Sequence, residues 1–238
     1  MVRIEKSIYL NFLSKFGVGG AHPGGIQLTK ELFKAEKITP GTRILDVGCG
    51  TGQTAAYLAA QYGAIVTGID INPVMVEKAK ARMARSQLPV KIIQGSIEEC
   101  PLKDEAFDLI LSESVLAFVH KLRALAEILR LLKGGGRFIA NELTLEHPID
   151  PGSKEEITRF YGLDSLLMER DWLAFLQQAG FKGIRIRKQD PSFQQNPIPE
   201  FYYSNYIEPE LYPVLNQHVY IMAKYQNVLG HRVYVCTK

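Results

Sequence analysis

The densest chemical information in the chain lies in Ile44-Leu-Asp-Val-Gly-Cys-Gly-Thr-Gly-Gln53, an apolar run that passes through three alternating glycines into a helical pattern. Glycine at such positions lets the backbone turn sharply and lets a ligand come as close as a Cβ would forbid. The helix N-terminus behind the loop adds N–H groups with no intrahelical partner. A phosphate-binding dinucleotide turn has the spacing G-x-G-x-x-G, whereas here the glycines are Gly48, Gly50 and Gly52, and a carboxylate, Asp46, stands just ahead of them. Asp46 repels a pyrophosphate and attracts a cationic or amino-bearing ligand. A second apolar run, Thr67-Gly-Ile-Asp-Ile-Asn72, ends on Asp70, 70 − 52 = 18 positions after the last loop glycine. An acidic residue at that distance accepts hydrogen bonds from ribose hydroxyls in nucleoside-binding α/β folds. A glycine loop alone is also an ordinary strand-to-helix turn; Asp46 and Asp70 together point to a ligand that contains a ribose and is not dominated by phosphate.

These residues need strands and helices to hold them, and the pattern supplies both. From residue 42 onward, short β-branched runs alternate with helical-period segments, the sequence sign of βαβ units and a parallel sheet. Strands are expected at Arg43–Val47, Ile65–Ile69, Val90–Gln94, Phe107–Leu111 and Arg137–Leu143, with helices at Gln53–Gln61, Pro73–Arg85 and Leu122–Leu132. Asn72 reads as the N-cap of the second helix, with Pro73 at its first position. Lys133-Gly-Gly-Gly136 reads as the stop of the third, its glycines supplying a left-handed cap. Residues 1–40 look helical, with Gly17-Val-Gly-Gly-Ala-His-Pro-Gly-Gly25 as a loop. After residue 144 come a helical portion ending at Gly180, a strand at Gly183–Lys188, a Pro-rich loop from Pro191 to Pro199, a helix near Glu210–Leu229 and a strand at Arg232–Thr237.

Over roughly residues 40 to 145 the chain resembles the class I S-adenosylmethionine-dependent methyltransferases, in particular the small-molecule group similar to ubiquinone/menaquinone-biosynthesis enzymes (methyltransferase type 11). Leu45-Asp-Val-Gly-Cys-Gly-Thr-Gly52 carries the resemblance most specifically. Gly68-Ile-Asp70, Gly95-Ser-Ile-Glu-Glu-Cys-Pro101, Phe107-Asp-Leu-Ile110 and Leu132-Lys-Gly-Gly-Gly-Arg-Phe138 add to it. The resemblance implies a Rossmann-like α/β fold with a seven-stranded, mostly parallel sheet and an antiparallel last strand, all in one domain. Residues 1–40 would be a helical cap, 41–145 the cofactor-binding core, and 146–238 substrate-side elements with an insertion at about 190–230. S-adenosylmethionine is the implied cofactor and S-adenosylhomocysteine the product. Asp46, Gly48, Cys49 and Gly50 would surround the methionine portion, with Thr51, Gly52 and Gln53 completing the turn. Asp70 would take the ribose hydroxyls, Ile71 and Met75 would pack near adenine, Ser96 and Ile97 would bound its edge, and the Ser112 carbonyl would meet the ammonium. The family usually has Asp where this chain has Ser96.

Methyl transfer from a sulfonium is an in-line displacement that rewards positioning and dryness, and it needs a general base only if the acceptor must lose a proton. His22 is the first candidate, because the N-terminal segment commonly covers the active site in the family; a His that merely packs a loop is the alternative. Glu113, at the carboxyl end of a strand where open sheets place ligands, is the second, against a solvated or structural carboxylate. His120 and His147 are weaker. Phe201-Tyr-Tyr-Ser-Asn-Tyr206 would form an aromatic lid over an apolar, aromatic or cationic acceptor, or pack the insertion. Lys182-Gly-Ile-Arg-Ile-Arg-Lys188 alternates with isoleucine and reads as a half-exposed strand rather than an RNA-binding stripe. Ser112-Glu-Ser-Val-Leu116 lacks the Asn/Asp-Pro-Pro-aromatic tetrapeptide of enzymes that methylate exocyclic base amino groups or glutamine.

Composition narrows the rest. The net charge, 28 − 25 = +3, is too mild for a dedicated nucleic-acid footprint, and 46% hydrophobic residues suffice for a substantial core. Cys49, Cys100 and Cys236 are too few and too scattered for a disulfide framework or zinc site, so a reducing cytoplasm is expected and no metal is assigned. Asp70, Glu113 and Lys121 break the richest apolar stretches, and Met1-Val-Arg-Ile-Glu-Lys6 has no signal core, so neither a membrane span nor an export signal is expected. Methylation of a small molecule is the leading reading. An RNA or protein methyltransferase and a non-catalytic binder of the same cofactor are the alternatives.

Overall fold

The computed structural model describes residues 7–187 and 199–238. The helices are α1 (Ile8–Phe16), α2 (Gly25–Lys34), α3 (Gln53–Tyr62), α4 (Pro73–Ser86), α5 (Lys121–Leu131), α6 (Pro151–Tyr161), α7 (Glu169–Gln178) and α8 (Tyr212–Lys224). The strands are β1 (Val18–Gly19), β2 (Arg43–Val47), β3 (Ile65–Asp70), β4 (Lys91–Gln94), β5 (Phe107–Glu113), β6 (Leu132–Leu145), β7 (Lys182–Arg187), β8 (Glu200–Phe201) and β9 (Leu229–Thr237).

Seven strands form one sheet in the order β4-β3-β2-β5-β6-β9-β7. All neighbours are parallel except β9, which runs antiparallel to both β6 and β7. The chain builds outward from β2 to β4, then crosses back to lay β5 on the other side of β2. That reversal opens a crevice beyond the carboxyl ends of β2 and β5, the place where open α/β sheets hold ligands.

Alternation along the strands supplies both faces. Leu45, Ile110 and Phe138 pack with α5 and α7, whereas Ile44, Leu111 and Ile139 pack with α2, α3 and α4. The first layer centres on Trp172, 1% exposed, whose indole N–H donates to the Leu143 carbonyl at 3.1 Å. Truncating so buried a ring costs about 3–5 kcal/mol. A third apolar cluster, with Phe12 of α1, Phe160 of α6 and Ile221 of α8 among its members, roofs the crevice.

Several boundaries differ from expectation. The glycines of Lys133–Gly136 do not cap α5, which closes on an extended Leu132. They lie inside β6 as an irregularity, with pairing passing from Phe107↔Leu132 to Leu109↔Arg137 and Gly135 at φ +74°. The helix expected to reach Leu229 ends at Lys224, because Leu229 already pairs with Leu145 as the first residue of β9. The strand expected at Gly183–Lys188 is β7; Lys188 and most of the Pro191–Pro199 loop lie outside the described residues, as does Met1–Lys6. Among the described residues no helix is long and apolar enough to cross a membrane.

Candidate functional site

The crevice is a cavity of about 1160 Å³. On its floor, β2 delivers Asp46 and the glycine loop. Gly48 has φ +63°, and a Cβ there would stand 2.4 Å from a Val115 methyl; Gly50 has φ +52°, and a Cβ there would meet only open space. Close packing therefore demands the first glycine, while the second keeps a left-handed backbone bare beside the cavity. The Cys49 N–H donates to the Ile69 carbonyl at 3.0 Å, tying the loop to β3.

Asp46 is 3% exposed, and its Oδ2 has no partner among the described residues. Burial, then the nearby Glu113 and Asp70 carboxylates, push its pKa well above the ordinary carboxylate value. A buried carboxyl oxygen left without a partner beside other acids is costly unless a cation joins it. Asp70 accepts the Gly50 N–H at 2.8 Å on one oxygen and the Asn72 N–H at 2.8 Å on the other, so it braces the loop while its remaining lone pairs stay available. Burial raises its pKa too. Ile71, Met75, Ser96 and Ile97 line the adjoining part of the cavity. The Ser96 hydroxyl accepts the Glu98 N–H at 3.1 Å and caps a short 3₁₀ turn, which gives the serine a local use at the position where the resembling family has Asp.

Two expected residues are not on the cavity wall. Gly52 caps α3 at φ +75°, and Ser112 is fully buried with its hydroxyl donating to Glu142 at 2.9 Å; Glu113, Ser114 and Val115 form the wall after β5 instead. Cys49 and Thr51 border the cavity, yet the thiol packs against Gly68, and the Thr51 carbonyl accepts Arg82 Nε at 2.8 Å. Burial, then the nearby Asp46 and Asp70 carboxylates, push the Cys49 pKa well above the free value, as suits a packed thiol.

His22 and Glu113, 91 positions apart, meet: Nε2 lies 3.4 Å from Oε2, with both side chains about nine-tenths or more buried. The contact lacks hydrogen-bond alignment. Glu113 is fixed by the hydroxyls of Thr29 and Thr54, which donate at 2.6 and 2.9 Å. The other ring nitrogen of His22 sits 3.4 Å from Asn141 Nδ2, whose amide also donates to the Pro23 carbonyl at 2.9 Å. His120 instead caps α5, accepting the Arg123 N–H at 3.4 Å, and His147 lies beside the Pro148 carbonyl at 3.0 Å; neither lines the cavity.

Sequence spacing missed His218 and His231, which also line the cavity. His218 Nδ1 is 3.0 Å from the Tyr161 hydroxyl, and burial lowers its pKa. Burial, then Arg232 and His22, lower that of His231 to about 4. Their only signal was position, on the face of a helix and near the end of a strand, which is legible only once α8 and β9 are placed.

The expected aromatic lid is smaller than its sequence suggests. Phe201 reaches the cavity, but Tyr202 lies under Lys78 and Arg85, and Tyr203 and Tyr206 are exposed. What covers the glycine loop is a ribbon: β8 pairs antiparallel with β1, Val18 opposite Phe201. Glu200 pins it by accepting from Gln53 and Arg82, each at 2.9 Å. Among the described residues there is no group of three or more His, Cys, Asp or Glu that could hold a metal ion.

The chain is similar to known proteins. Residues 45–140 match a family described as "Methyltransferase domain". The "Uncharacterized methyltransferase YodH" of Bacillus subtilis (strain 168) is 39% identical over 235 residues, spanning 98% of this chain and all of that one. The "O-methyltransferase cnsE" of Penicillium expansum is 36% identical over 172 residues, 68% of this chain and 60% of that one. Among solved structures, the Haemonchus contortus phosphoethanolamine N-methyltransferase 2 in complex with S-adenosyl-L-methionine superposes with a TM-score of 0.80 at 18% identity, covering 99% of this chain and 58% of that one.

Proposed function

The chain belongs to the S-adenosylmethionine-dependent methyltransferases, and on that premise we propose that it methylates a small molecule held in the roofed cavity, with S-adenosylhomocysteine as product. The observation that carries this reading is the buried Asp46, whose Oδ2 has no partner among the described residues, beside Asp70 at a bare glycine loop in the cavity. When bound, the cofactor supplies an electrophilic methyl group on a cationic sulfur.

The chain's own residues suit that group. Asp46, Gly48, Cys49 and Gly50 would flank the methionine portion, Asp46 acting by charge and the others through backbone. Asp70 would accept from the ribose hydroxyls, and Ile71, Met75, Ser96 and Ile97 would hold adenine. Thr51, Gly52 and Gln53 would shape the turn from behind, and Ser112 would act through its carbonyl alone. Glu113, fixed by two threonines and with His22 Nε2 3.4 Å away, would take a proton from the acceptor where one must leave. Residues 1–40 would serve as the cap, 41–145 as the cofactor core and 146–238 as the acceptor side, in one catalytic domain. Three free, buried cysteines support a reducing cytoplasm. The basic face of β7 does not border the cavity and lends no support to an RNA acceptor.

The test is calorimetric titration with S-adenosylmethionine and S-adenosylhomocysteine on wild type and Asp70→Ala. Binding that weakens by about 1–3 kcal/mol in the variant is expected from the lost charged hydrogen bonds; no binding by wild type sinks the assignment. Once an acceptor is in hand, Glu113→Gln should lower kcat about 100-fold or more with cofactor affinity kept. Unchanged turnover in both Glu113→Gln and His22→Ala would remove the base.

A further inference from the structure

Beyond the cofactor-facing residues, α8 turns one face into the cavity: Leu215, His218, Val219 and Met222 recur at helical spacing. Tyr9, Phe12 and Leu13 of α1 and Phe118 and Leu163 add further apolar wall. Leu215 and Val219 are also 38% and 57% exposed, so the apolar lining runs out to solvent and forms a mouth. The exposed rings of Tyr212 and Tyr220 lie on the same helix.

The lining carries carboxyl groups and no lysine or arginine among the described residues. The acidic side chains on the described lining are Asp46, Asp70, Glu113 and Glu146. The basic groups nearby are already paired: Arg232 with Glu146 of the lining and with Glu169, Lys121 with Asp164, and Arg82 with Glu200. An anion entering this chamber would give up its hydration among acidic side chains, with no guanidinium or ammonium among the described lining residues to receive it. Polar contacts suited to an uncharged hydroxyl are present, the Tyr161–His218 pair foremost.

We infer that the acceptor is a largely apolar molecule carrying no phosphate or carboxylate, admitted past the exposed face of α8 and seated between α8 and α1. The inference rests on the methyltransferase reading of the cavity and specifies its acceptor class. Protein saturated with S-adenosylhomocysteine is titrated calorimetrically with 2-naphthol and with 2-naphthyl phosphate, a pair that differs only by the phosphoryl group. The naphthol should bind at least about tenfold more tightly. Met222→Asp should weaken the naphthol by a similar factor while the S-adenosylhomocysteine affinity stays within about twofold, which locates the probe on α8. Equal or tighter binding of the phosphate, no binding of the naphthol, or indifference to Met222→Asp overturns the inference on acceptor class alone. Failure of S-adenosylhomocysteine to bind in the preceding titration overturns the methyltransferase reading, and this inference with it.

Discussion

Glu142 shows how much a single buried carboxyl contributes to the site without touching it. Fully buried on β6, it collects on Oε1 the Ser112 hydroxyl at 2.9 Å and the N–H groups of Leu116 and Val115 at 3.2 and 3.3 Å. It thereby holds the turn that carries Ser114 at φ +58° and sets Val115 against Gly48. Burial outweighs these donors and raises its pKa from 4.5 to about 7. Because the folded value lies above the unfolded one, this group favours the folded state least at high pH: stability falls as pH rises from about 4.5 to 7 and then levels off. At about 1.4 kcal/mol per pH unit the loss approaches 3 kcal/mol. Glu142→Gln is expected to flatten that part of the stability profile, measured by urea melts between pH 4.5 and 7.5. Residue spacing revealed Asp46, Asp70 and Glu113 because each sits near the end of an apolar run, where a strand must deliver it to the crevice. It did not reveal Glu142, Thr29 or His231, since their importance arises from contacts such as Thr29 to Glu113, 84 positions apart.

Among the elements, the glycine loop was legible because one short motif encodes turn, close approach and helix start together. Its two cavity-side glycines should behave differently when substituted. Gly50→Ala meets no neighbour, so the protein should fold with about 1–2 kcal/mol lost to the left-handed alanine, yet S-adenosylmethionine affinity should collapse as the methyl occupies the cavity. Gly48→Ala must displace Val115 and should lower Tm in its own right. Parallel melting and binding measurements on the two variants separate these effects. The Lys133–Gly136 run was misread because glycine marks equally a helix end and an interrupted strand, and the choice is made by the β5 pairing on either side. The β1–β8 ribbon was invisible in the sequence: each partner is two residues long, and the pair joins segments about 180 residues apart.

At the scale of the whole molecule, the proposed cofactor site lies at the carboxyl ends of the central strands β2 and β5 and the proposed acceptor site under the helical roof, so changes in α1 and α8 should alter which acceptor is used while leaving cofactor affinity unchanged. The sheet also has a long-range seam. Strand β9 enters between β6 and β7 and places Tyr234 with ring centroid 6.3 Å from that of Trp172, the only tryptophan of the chain. A variant ending at Tyr225 should therefore show red-shifted tryptophan fluorescence and raised dye binding, with native emission overturning this expectation. Order of synthesis follows from the same seam. Strand β7 is made before β9, its neighbour in the sheet, with more than forty residues between them, and the edges of β6 and β7 that face β9 stay open until β9 has been made. Such edges invite pairing with other chains. Slowing translation over residues 188–228 would lengthen that exposed interval, so codon choice in that stretch should govern soluble yield without changing a single amino acid.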